Sequence, residues 1–320
     1  MASKSALDPG ELFGHVQDAP YFHVPAMLSP HGDGHIYLPQ PFASPQMTAD
    51  GQPLLDHHGH QLYEPLWASN TGVGLVDQIF QPLELQITKF MVLELIVAVV
   101  MCVVFIGIAQ LMRGGATPRG RIWNLFEVML LFFRDNVARP AIGGHDADRY
   151  LPLIWTVFFF VLGCNLMGMI PWAGSPTGAL ATTAALAFVV FLTVIGSGMM
   201  KLGVVGFWKA QVPHMEVPKA VGVLLIPLIF VIEVFGLLIK HFVLAVRLLA
   251  NMIGGHMVLA VLMAFISVTA GFMILWIGVA PLSITAAVAL NMLELLVAFI
   301  QAYIFAFLTA LFIGMALHPH

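Results

Sequence analysis

Three long runs of apolar residues dominate the middle of the chain, and polar positions interrupt each of them only rarely. A bilayer core of about 30 Å requires roughly 20 residues in an upright helix. The runs therefore predict three membrane-spanning helices, at about residues 89–112, 150–171 and 179–201.

A shorter amphipathic stretch, at about residues 123–139, lies between the first two runs. Its polar side chains cluster on one side: Asn124, Glu127, Arg134 and Asp135. About 17 residues with one polar face are typical of a helix that lies in the membrane interface. We therefore predict an interfacial helix here instead of a further span.

The last hundred residues contain two longer apolar stretches. The first, at about 219–275, should bend or break near Gly254-Gly255, and the second, at about 283–317, follows Pro281. At 1.5 Å per residue the second helix would be about 52 Å long, so it must tilt or bend in a core of about 30 Å. We predict an all-α integral membrane fold of about five membrane-embedded helices and one interfacial helix, the last two strongly tilted and packed as a hairpin.

Residues 1–84 differ from the rest because they are rich in Pro, Gly and His and show no hydrophobic period. This composition predicts a mostly irregular segment outside the membrane. Seven histidines suggest zinc or nickel ligands: His15, His23, His31, His35, His57, His58 and His60. Nothing in the segment supplies a fixed geometry for them, so we interpret them as solvated side chains and predict no metal and no other cofactor. The first 30 residues have no apolar core after a basic start, so we expect no cleavable signal peptide.

Composition excludes a soluble protein. Hydrophobic residues make up 59% of the chain, charged residues only 9%, and the mean hydropathy is +0.91. Soluble chains carry roughly 25% charged residues. No basic stripe with interleaved aromatic residues exists, so we predict no nucleic-acid partner. Cys102 and Cys164 both lie in apolar stretches, where we interpret them as buried small residues.

Basic residues in two loops predict the orientation. Six arginines separate the first two spans: Arg113, Arg119, Arg121, Arg134, Arg139 and Arg149. Three lysines lie between the third and fourth spans: Lys201, Lys209 and Lys219. Such loops face the cytoplasm, which puts the amino-terminal segment outside and the carboxyl end inside. We favour a bacterial cell (inner) membrane over an organelle.

Residues 220–320 contain four charged side chains: Glu233, Lys240, Arg247 and Glu294. A charge at membrane depth costs from about 2.5 to well over 10 kcal/mol, so each needs water, a partner or a role. The first three are seven residues apart and share one stripe of a helix. Neighbours in this stripe are about 10.5 Å apart along the axis, so we expect their ionic partners elsewhere. Snorkelling or a structural ion pair is the alternative for Lys240 and Arg247.

Uncharged polar residues extend this pattern. Asn251 belongs to the face of Arg247, whereas His256 points to the opposite side of the same helix. A second polar stripe lies on the last helix: Asn291, Glu294 and Gln301. Hydrogen bonding between helices is the alternative role for that stripe.

Arginine and histidine suit different tasks in such a site. Arginine does not lose its proton in a protein, so Arg247 can act only as a fixed positive charge. At an effective dielectric of about 20, a carboxylate 4 Å away gains about 4 kcal/mol, enough to keep it ionised. Histidine and glutamate, in contrast, can bind and release protons near neutrality. The sequence therefore predicts a fixed cation beside a proton path.

Several sequence motifs point to one family. Residues 246–256 read Val-Arg-Leu-Leu-Ala-Asn-Met-Ile-Gly-Gly-His, with Glu233 before them and Gln301-Ala302-Tyr303-Ile304-Phe305 after them. Supporting matches are Asn165-Leu166-Met167-Gly168, Ser175-Pro176-Thr177-Gly178 and the early Gly14-His15-Val16-Gln17-Asp18. Together they resemble the a subunit of F-type ATP synthases. The resemblance covers nearly all of the chain beyond about residue 85 and, more loosely, its start.

The resemblance implies a proton-conducting stator subunit that is not an enzyme by itself. It would pack against a rotating c-subunit ring and assemble with the b-subunit peripheral stalk and the remainder of the ATP synthase complex in membrane lipid. The transported ion would be H⁺. Na⁺ stays open, because residues of the ring mainly decide between the two.

By position, the resemblance also assigns roles to single residues. Three would lie where stator and ring meet: the essential stator arginine Arg247, its polar neighbour Asn251 and the facing glutamine Gln301. Four would line two aqueous half-channels: Glu233, His256, Glu294 and Asn291. Lys240 and His241 are accessory candidates, and the order in which His256 and Glu294 take up a proton stays open.

Three other functions deserve comparison. A membrane haem-b redox subunit would use His241 and His256 but needs matching histidines on a facing helix, and the last helix offers none before His318. A secondary transporter would show inverted halves with paired broken helices, which the sequence lacks. A non-catalytic scaffold would tolerate loss of Arg247.

Overall fold

The computed structural model describes residues 18–23, 35–41, 43–46, 63–65, 87–113, 120–170, 173–212 and 219–318. It distinguishes two compact units, Asp18–Leu93 and a helical unit that includes Glu94–His320. The early Gly14 to Gln17 motif and five of the amino-terminal histidines lie outside the described residues: His15, His31, His57, His58 and His60.

The first unit contains two small antiparallel sheets. Its strands are β1 (Tyr21–His23) paired with β2 (His35–Tyr37), and β3 (Ala43–Pro45) paired with β4 (Tyr63–Pro65). Within this unit the side chain of Gln40 both donates to and accepts from the backbone of Ile87 at 2.9 Å. These strands lie in the segment for which the sequence predicts mostly irregular structure. Strands of three residues are too short to leave a two-residue period in the sequence.

The second unit is helical. Its helices are α1 (Lys89–Arg113), α2 (Arg121–Phe132), α3 (Arg139–Ile142), α4 (Ala147–Gly168), α5 (Leu180–Leu202), α6 (Val204–Ala210), α7 (Lys219–Thr269) and α8 (Met273–Leu317). Five of the described helices, α1, α4, α5, α7 and α8, are long and apolar enough to cross a membrane. This confirms the predicted all-α membrane fold. The tilt of the last two helices stays a prediction.

The amphipathic stretch between α1 and α4 forms one interrupted helix. A π-helical turn, Phe133–Ala138, connects α2 directly to α3. Phe133, Val137 and Ala138 are buried, whereas the charged side chains of the same turn are exposed or half-buried. The indole Nε1 of Trp155 on α4 donates to the Leu130 carbonyl oxygen at 3.2 Å. One face of this stretch therefore packs on the bundle, as its sequence pattern predicts.

The hairpin of α7 and α8 is more continuous than its sequence indicates. Residues 254 and 255 lie inside α7 without a break, since each glycine costs a helix only about 1 kcal/mol. Helix α8 begins at Met273, about ten residues before its predicted start, and contains Pro281. Proline removes one backbone hydrogen bond, which membrane helices tolerate when nearby groups compensate. The hydroxyl of Thr285 donates to the Pro281 carbonyl oxygen at 2.8 Å.

Helix α8 is the centre of the packing, because it contacts α7, α4, α5 and α3. Near its carboxyl end Gly314 lies against the backbone of Ala141, so closely that any side chain would collide with the Ala141 carbonyl oxygen. At Gly198 on α5, a Cβ would collide with the ring of Phe207 on α6 and lie 3.2 Å from the Ala316 carbonyl oxygen of α8. Small residues let these backbones approach, as is usual between membrane helices.

Candidate functional site

The polar residues of α7 and α8 form two groups at different heights along the hairpin. The two helices run antiparallel, and Gly255 on α7 contacts Glu294 on α8 at one group. At the other group Glu233 and Lys240 on α7 share a cavity with His318, which follows α8. At 1.5 Å per residue, the 22 residues between Glu233 and Gly255 correspond to about 33 Å. The two groups therefore lie about one bilayer core apart.

The first group contains His256 and Glu294, which the structure brings together. Nδ1 of His256 lies 3.9 Å from Oε1 of Glu294, and the two side chains are only 16% and 6% exposed. The backbone of Gly255 makes this arrangement possible. A Cβ at that position would lie 2.7 Å from Oε1 and 3.0 Å from Cδ of Glu294. In the sequence, Gly255 stood out only as part of an expected break and of the motif at residues 246–256.

Buried polar atoms without a hydrogen-bond partner concentrate near this pair. Among the described side chains they are Nε2 of His256, Oε1 of Glu294, Nε2 of Gln301 and Nε2 of His241. A buried polar atom left unpaired costs about 1–3 kcal/mol, so proteins rarely retain one without a function. Two of the four belong to His256 and Glu294, which the sequence selected for a proton path.

The second group corrects an expectation about Glu233 and Lys240. Nζ of Lys240 lies 4.0 Å from Oε1 of Glu233, and the two side chains are 44% and 45% exposed. Their spacing of seven residues was expected to be too long for a direct ion pair. The separation along the helix axis does not by itself decide whether two side chains meet. Helical side chains point toward the amino-terminal end, so the long Lys240 side chain can reach back to Glu233.

The cavity at this group has a volume of about 650 Å³. Besides Glu233 and Lys240, its polar lining includes Gln211 and His318. A water molecule needs only about 10–15 Å³ of such space and two to four polar partners. The cavity can therefore hold several water molecules beside the Glu233 carboxylate.

Arg247 lies between the two groups on α7, about 21 Å along the axis from Glu233 and about 13.5 Å from His256. Its side chain is exposed. Within the described part of the chain it forms no hydrogen bond and no ion pair. Asn251 is half-buried, Gln301 is buried and Asn291 is exposed. No hydrogen bond among described residues joins Arg247 to Gln301, so their predicted facing arrangement stays a prediction.

His241 points into the bundle, unlike its neighbour Lys240. Its ring packs against Phe191 on α5 and Phe312 on α8, with centroid distances of 5.2 and 4.9 Å. Nδ1 lies 2.8 Å from the Leu237 carbonyl oxygen, and because a carbonyl only accepts, Nδ1 carries the proton.

A buried polar network supports the hairpin and was not predicted as a unit. Thr177 donates to Oδ1 of Asn165 at 2.8 Å and shares a hydrogen bond with Ser175 at 2.9 Å. Nδ2 of Asn165 donates to the Ala298 carbonyl oxygen of α8 at 3.3 Å. Ala298 is one turn from Glu294, so the network fixes α8 close to the buried pair. Its members had appeared only as motif matches, because residues 12 and 133 positions apart cannot be paired from spacing.

Metal binding has no support in the described residues, since they contain no group of three or more His, Cys, Asp or Glu side chains that could hold an ion.

Comparison with known proteins finds relatives of this chain. The sequence profile of the ATP synthase A chain family matches residues 91–314. The chain is 35% identical to ATP synthase subunit a of Myxococcus xanthus over 306 residues, which cover 95% of this chain and 92% of the relative.

Two further relatives carry the same name. ATP synthase subunit a of Chloroherpeton thalassium is 37% identical over 73% of this chain and 67% of its own length. That of Rhodopseudomonas palustris is 40% identical over 66% of this chain and 83% of its own length. The profile match spans the five long apolar helices almost completely, and the chain therefore belongs to the ATP synthase subunit a family.

Proposed function

We propose that this protein is the proton-conducting stator subunit of a rotary F-type ATP synthase. It would provide two aqueous half-channels that load and unload carboxyl groups on a neighbouring c-subunit ring, and Arg247 would separate them. The supporting observation is the arrangement along α7, in which Arg247 lies between a buried His256–Glu294 pair and an open Glu233 cavity. Family membership supports the same role.

The buried pair suits the half-channel on the acidic side. Nδ1 and Oε1, 3.9 Å apart, lie beyond direct hydrogen-bond distance, and a small side-chain movement would let the imidazole and the carboxylate share a proton. From there the proton would pass to a ring carboxylate, which becomes neutral and can then face lipid without the cost of a buried charge. Asn291 would lie beside this path on the exposed side of α8.

The open cavity suits the half-channel on the cytoplasmic side. After nearly a full turn, the protonated ring site would reach this side and release its proton toward the water around Glu233. Arg247 would promote this release because a fixed positive charge favours the ionised carboxylate. It would also repel protons between the two half-channels, so that ions cross only when the ring turns.

The membrane potential would drive this cycle. It contributes about 2.3 kcal/mol for each charge moved across 100 mV. We propose that the ring converts this energy into torque for ATP formation in the remainder of the complex, and that the b-subunit stalk holds this protein still against the ring. The basic loops favour an orientation with the carboxyl end in the cytoplasm, and the bacterial relatives favour a bacterial inner membrane.

Replacement of Arg247 tests the proposal. In inverted membrane vesicles that contain the whole complex, Arg247→Ala should abolish ATP-driven proton pumping and ATP synthesis, because no fixed charge would then separate the half-channels. Arg247→Lys should fail as well, since an ammonium group can lose its proton and is held differently. The amount of ATPase bound to the membrane serves as the control for assembly. Coupled pumping by either variant would refute the proposal.

A further inference from the structure

A cluster of three ionisable side chains lies at the mouth of the Glu233 cavity. Nζ of Lys201, at the end of α5, is 2.5 Å from Oδ2 of Asp146 and 3.0 Å from Nε2 of His318. Nε2 of His318 is also 3.9 Å from Oδ2 of Asp146. Among these three, His318 is the residue that also lines the cavity. The three side chains therefore come from separate parts of the chain, and His318 links them to the cavity.

Exposure puts this cluster at the boundary between protein and solvent. The side chains of Lys201, Asp146 and His318 are 36%, 30% and 55% exposed. Gly143, which also lines the cavity and has a φ of 97°, directs the chain from α3 toward Asp146. His318 is thus exposed on one side and borders the cavity on the other.

The hydrogen bonds of the cluster determine which ring nitrogen of His318 carries the proton. A lysine ammonium has only donors, so Nε2 of His318 accepts from Lys201 and the ring carries its proton on Nδ1. Asp146 accepts from the same ammonium, and this hydrogen bond holds the pKa of the Asp146 carboxyl below its usual value. Aspartate and lysine keep their charges between pH 5 and 8, whereas histidine is the residue type that exchanges protons in this range.

We propose that His318 relays protons between the cytoplasmic solvent and the Glu233 cavity, with Lys201 and Asp146 as its positioning residues. The inference rests on the proposed function, since it assigns the entrance of the cytoplasmic half-channel. A proton from solvent converts the imidazole to imidazolium while Lys201 keeps only its hydrogen bond to Asp146. Loss of a proton to a cavity water then regenerates the neutral ring. Only N–H and O–H bonds change.

The other charged groups around the cavity suit this assignment. Glu233 and Lys240 face the same space from α7, and their ion pair leaves the Glu233 carboxylate available to cavity water. His145 precedes Asp146 but does not belong to the cavity lining. Among the described residues, His318 is therefore the one side chain at this mouth that is suited to relay protons to the cavity.

The test uses the whole complex in inverted membrane vesicles, with ATP-driven proton uptake as the readout. His318→Ala should lower the initial rate of uptake by about tenfold, less than the roughly 10²–10⁴-fold contribution of a positioned acid–base group, because some protons can still enter through water at the open mouth. Millimolar imidazole in the medium should restore much of the rate, because the mouth is open to solvent. His145→Ala is the matched control and should leave the rate unchanged with and without imidazole.

Each outcome decides the inference. Normal uptake by His318→Ala overturns it, and so does a reduced rate that imidazole fails to restore, because that result indicates a structural role. If His318→Ala does not assemble, His318→Gln keeps an acceptor for Lys201. This variant should bind normal amounts of ATPase and still pump about tenfold more slowly. Normal pumping by His318→Gln would likewise overturn the inference.

Arg247→Ala vesicles distinguish failure of the His318 relay from failure of the proposed function. If Arg247→Ala abolishes pumping while the His318 variants pump normally, the relay is wrong and the proposed function stands. If Arg247→Ala also pumps, the proposed function itself fails.

Discussion

The two polar groups of the α7–α8 hairpin differ in the exposed fraction of their side chains. His256 and Glu294 are enclosed by helix backbone at Gly255 and expose little of their side chains. Glu233 and Lys240 expose nearly half of theirs and border a cavity of about 650 Å³. We call the enclosed His256–Glu294 pair the dry group and the Glu233–Lys240 pair at the cavity the wet group. A proton shared in the dry group would have one place to bind, whereas water in the cavity would offer several. The dry group should therefore tolerate change far less than the wet one.

Removal of one carboxylate from each group tests this contrast most strongly. Glu294→Gln should lower ATP-driven proton pumping by about 100-fold or more, because no other group can take its place beside His256. Glu233→Gln should lower pumping by less than about tenfold, because water and His318 remain in the cavity. Proton uptake by inverted vesicles, corrected for membrane-bound ATPase, measures both variants. Equal losses would contradict the contrast.

A methyl group at Gly255 should disturb the dry group without removing any ionisable residue. Its Cβ would meet Oε1 and Cδ of Glu294, so the carboxylate must move away from His256. We expect Gly255→Ala to lower pumping by about 10- to 100-fold, since a displacement of about 1 Å in a reacting group can cost about 100-fold.

Gly278→Ala is the matched control for that change, because Gly278 is also helical but has open space around its Cβ position. It should pump normally. The packing argument would be wrong if both alanine variants pumped at the same rate.

The network at Thr177 should matter for stability more than for proton transfer. Thr177→Val leaves Oδ1 of Asn165 without its donor in a fully buried position. We expect the free energy of unfolding to fall by about 1–3 kcal/mol. Thr193→Val is the control, since the Thr193 hydroxyl bonds only to Val189 of its own helix. Thermal unfolding of the detergent-solubilised complex compares the two, and equal midpoints would exclude a supporting role for the network.

The smallest effect should come from the arginine pair beside α3, near the wet group. The hydrogen bond from Arg134 holds the pKa of the Asp135 carboxyl below its usual value, and Arg139 also donates to Asp135 at 2.9 Å. A lowered folded-state pKa gives stability that is fully present above the unfolded pKa of about 4. This stability is lost as the pH falls below about 4 through the lowered folded-state pKa.

Asp135→Asn should therefore lower the unfolding midpoint slightly at neutral pH and not at all in acid below that range, because these side chains are exposed and their contribution is small. Thermal unfolding of the solubilised complex at several pH values measures the difference. A difference that grew in acid would show that the sign of this argument is wrong.

The pattern of long apolar runs was sufficient to predict the five long helices, since a run of about 20 apolar residues can form few other structures in a membrane. It also selected the His256–Glu294 pair, because charged and titratable residues are so rare in the last hundred positions. It did not anticipate the ion pair of Lys240 with Glu233, because spacing along an axis ignores the reach and direction of side chains.

Features that depend on distant residues were beyond the sequence. Lys201 lies 55 residues from Asp146 and 117 from His318, so nothing local connects them. The role of Gly255 likewise required the position of the opposite helix, since an isolated glycine pair in a helical pattern normally indicates weakness. Pro281 was taken as a boundary for the same reason, although α8 continues through it.

The short connection at residues 270–272 limits how the hairpin can vary in length. An insertion of one residue within α7 or α8 would rotate everything beyond it by about 100° and turn one partner of each facing pair toward lipid. An insertion in the connection would leave both helices in phase. Natural length differences among homologous chains should therefore accumulate at this connection and be absent from the stretches between Glu233 and Gly255 and between Glu294 and His318.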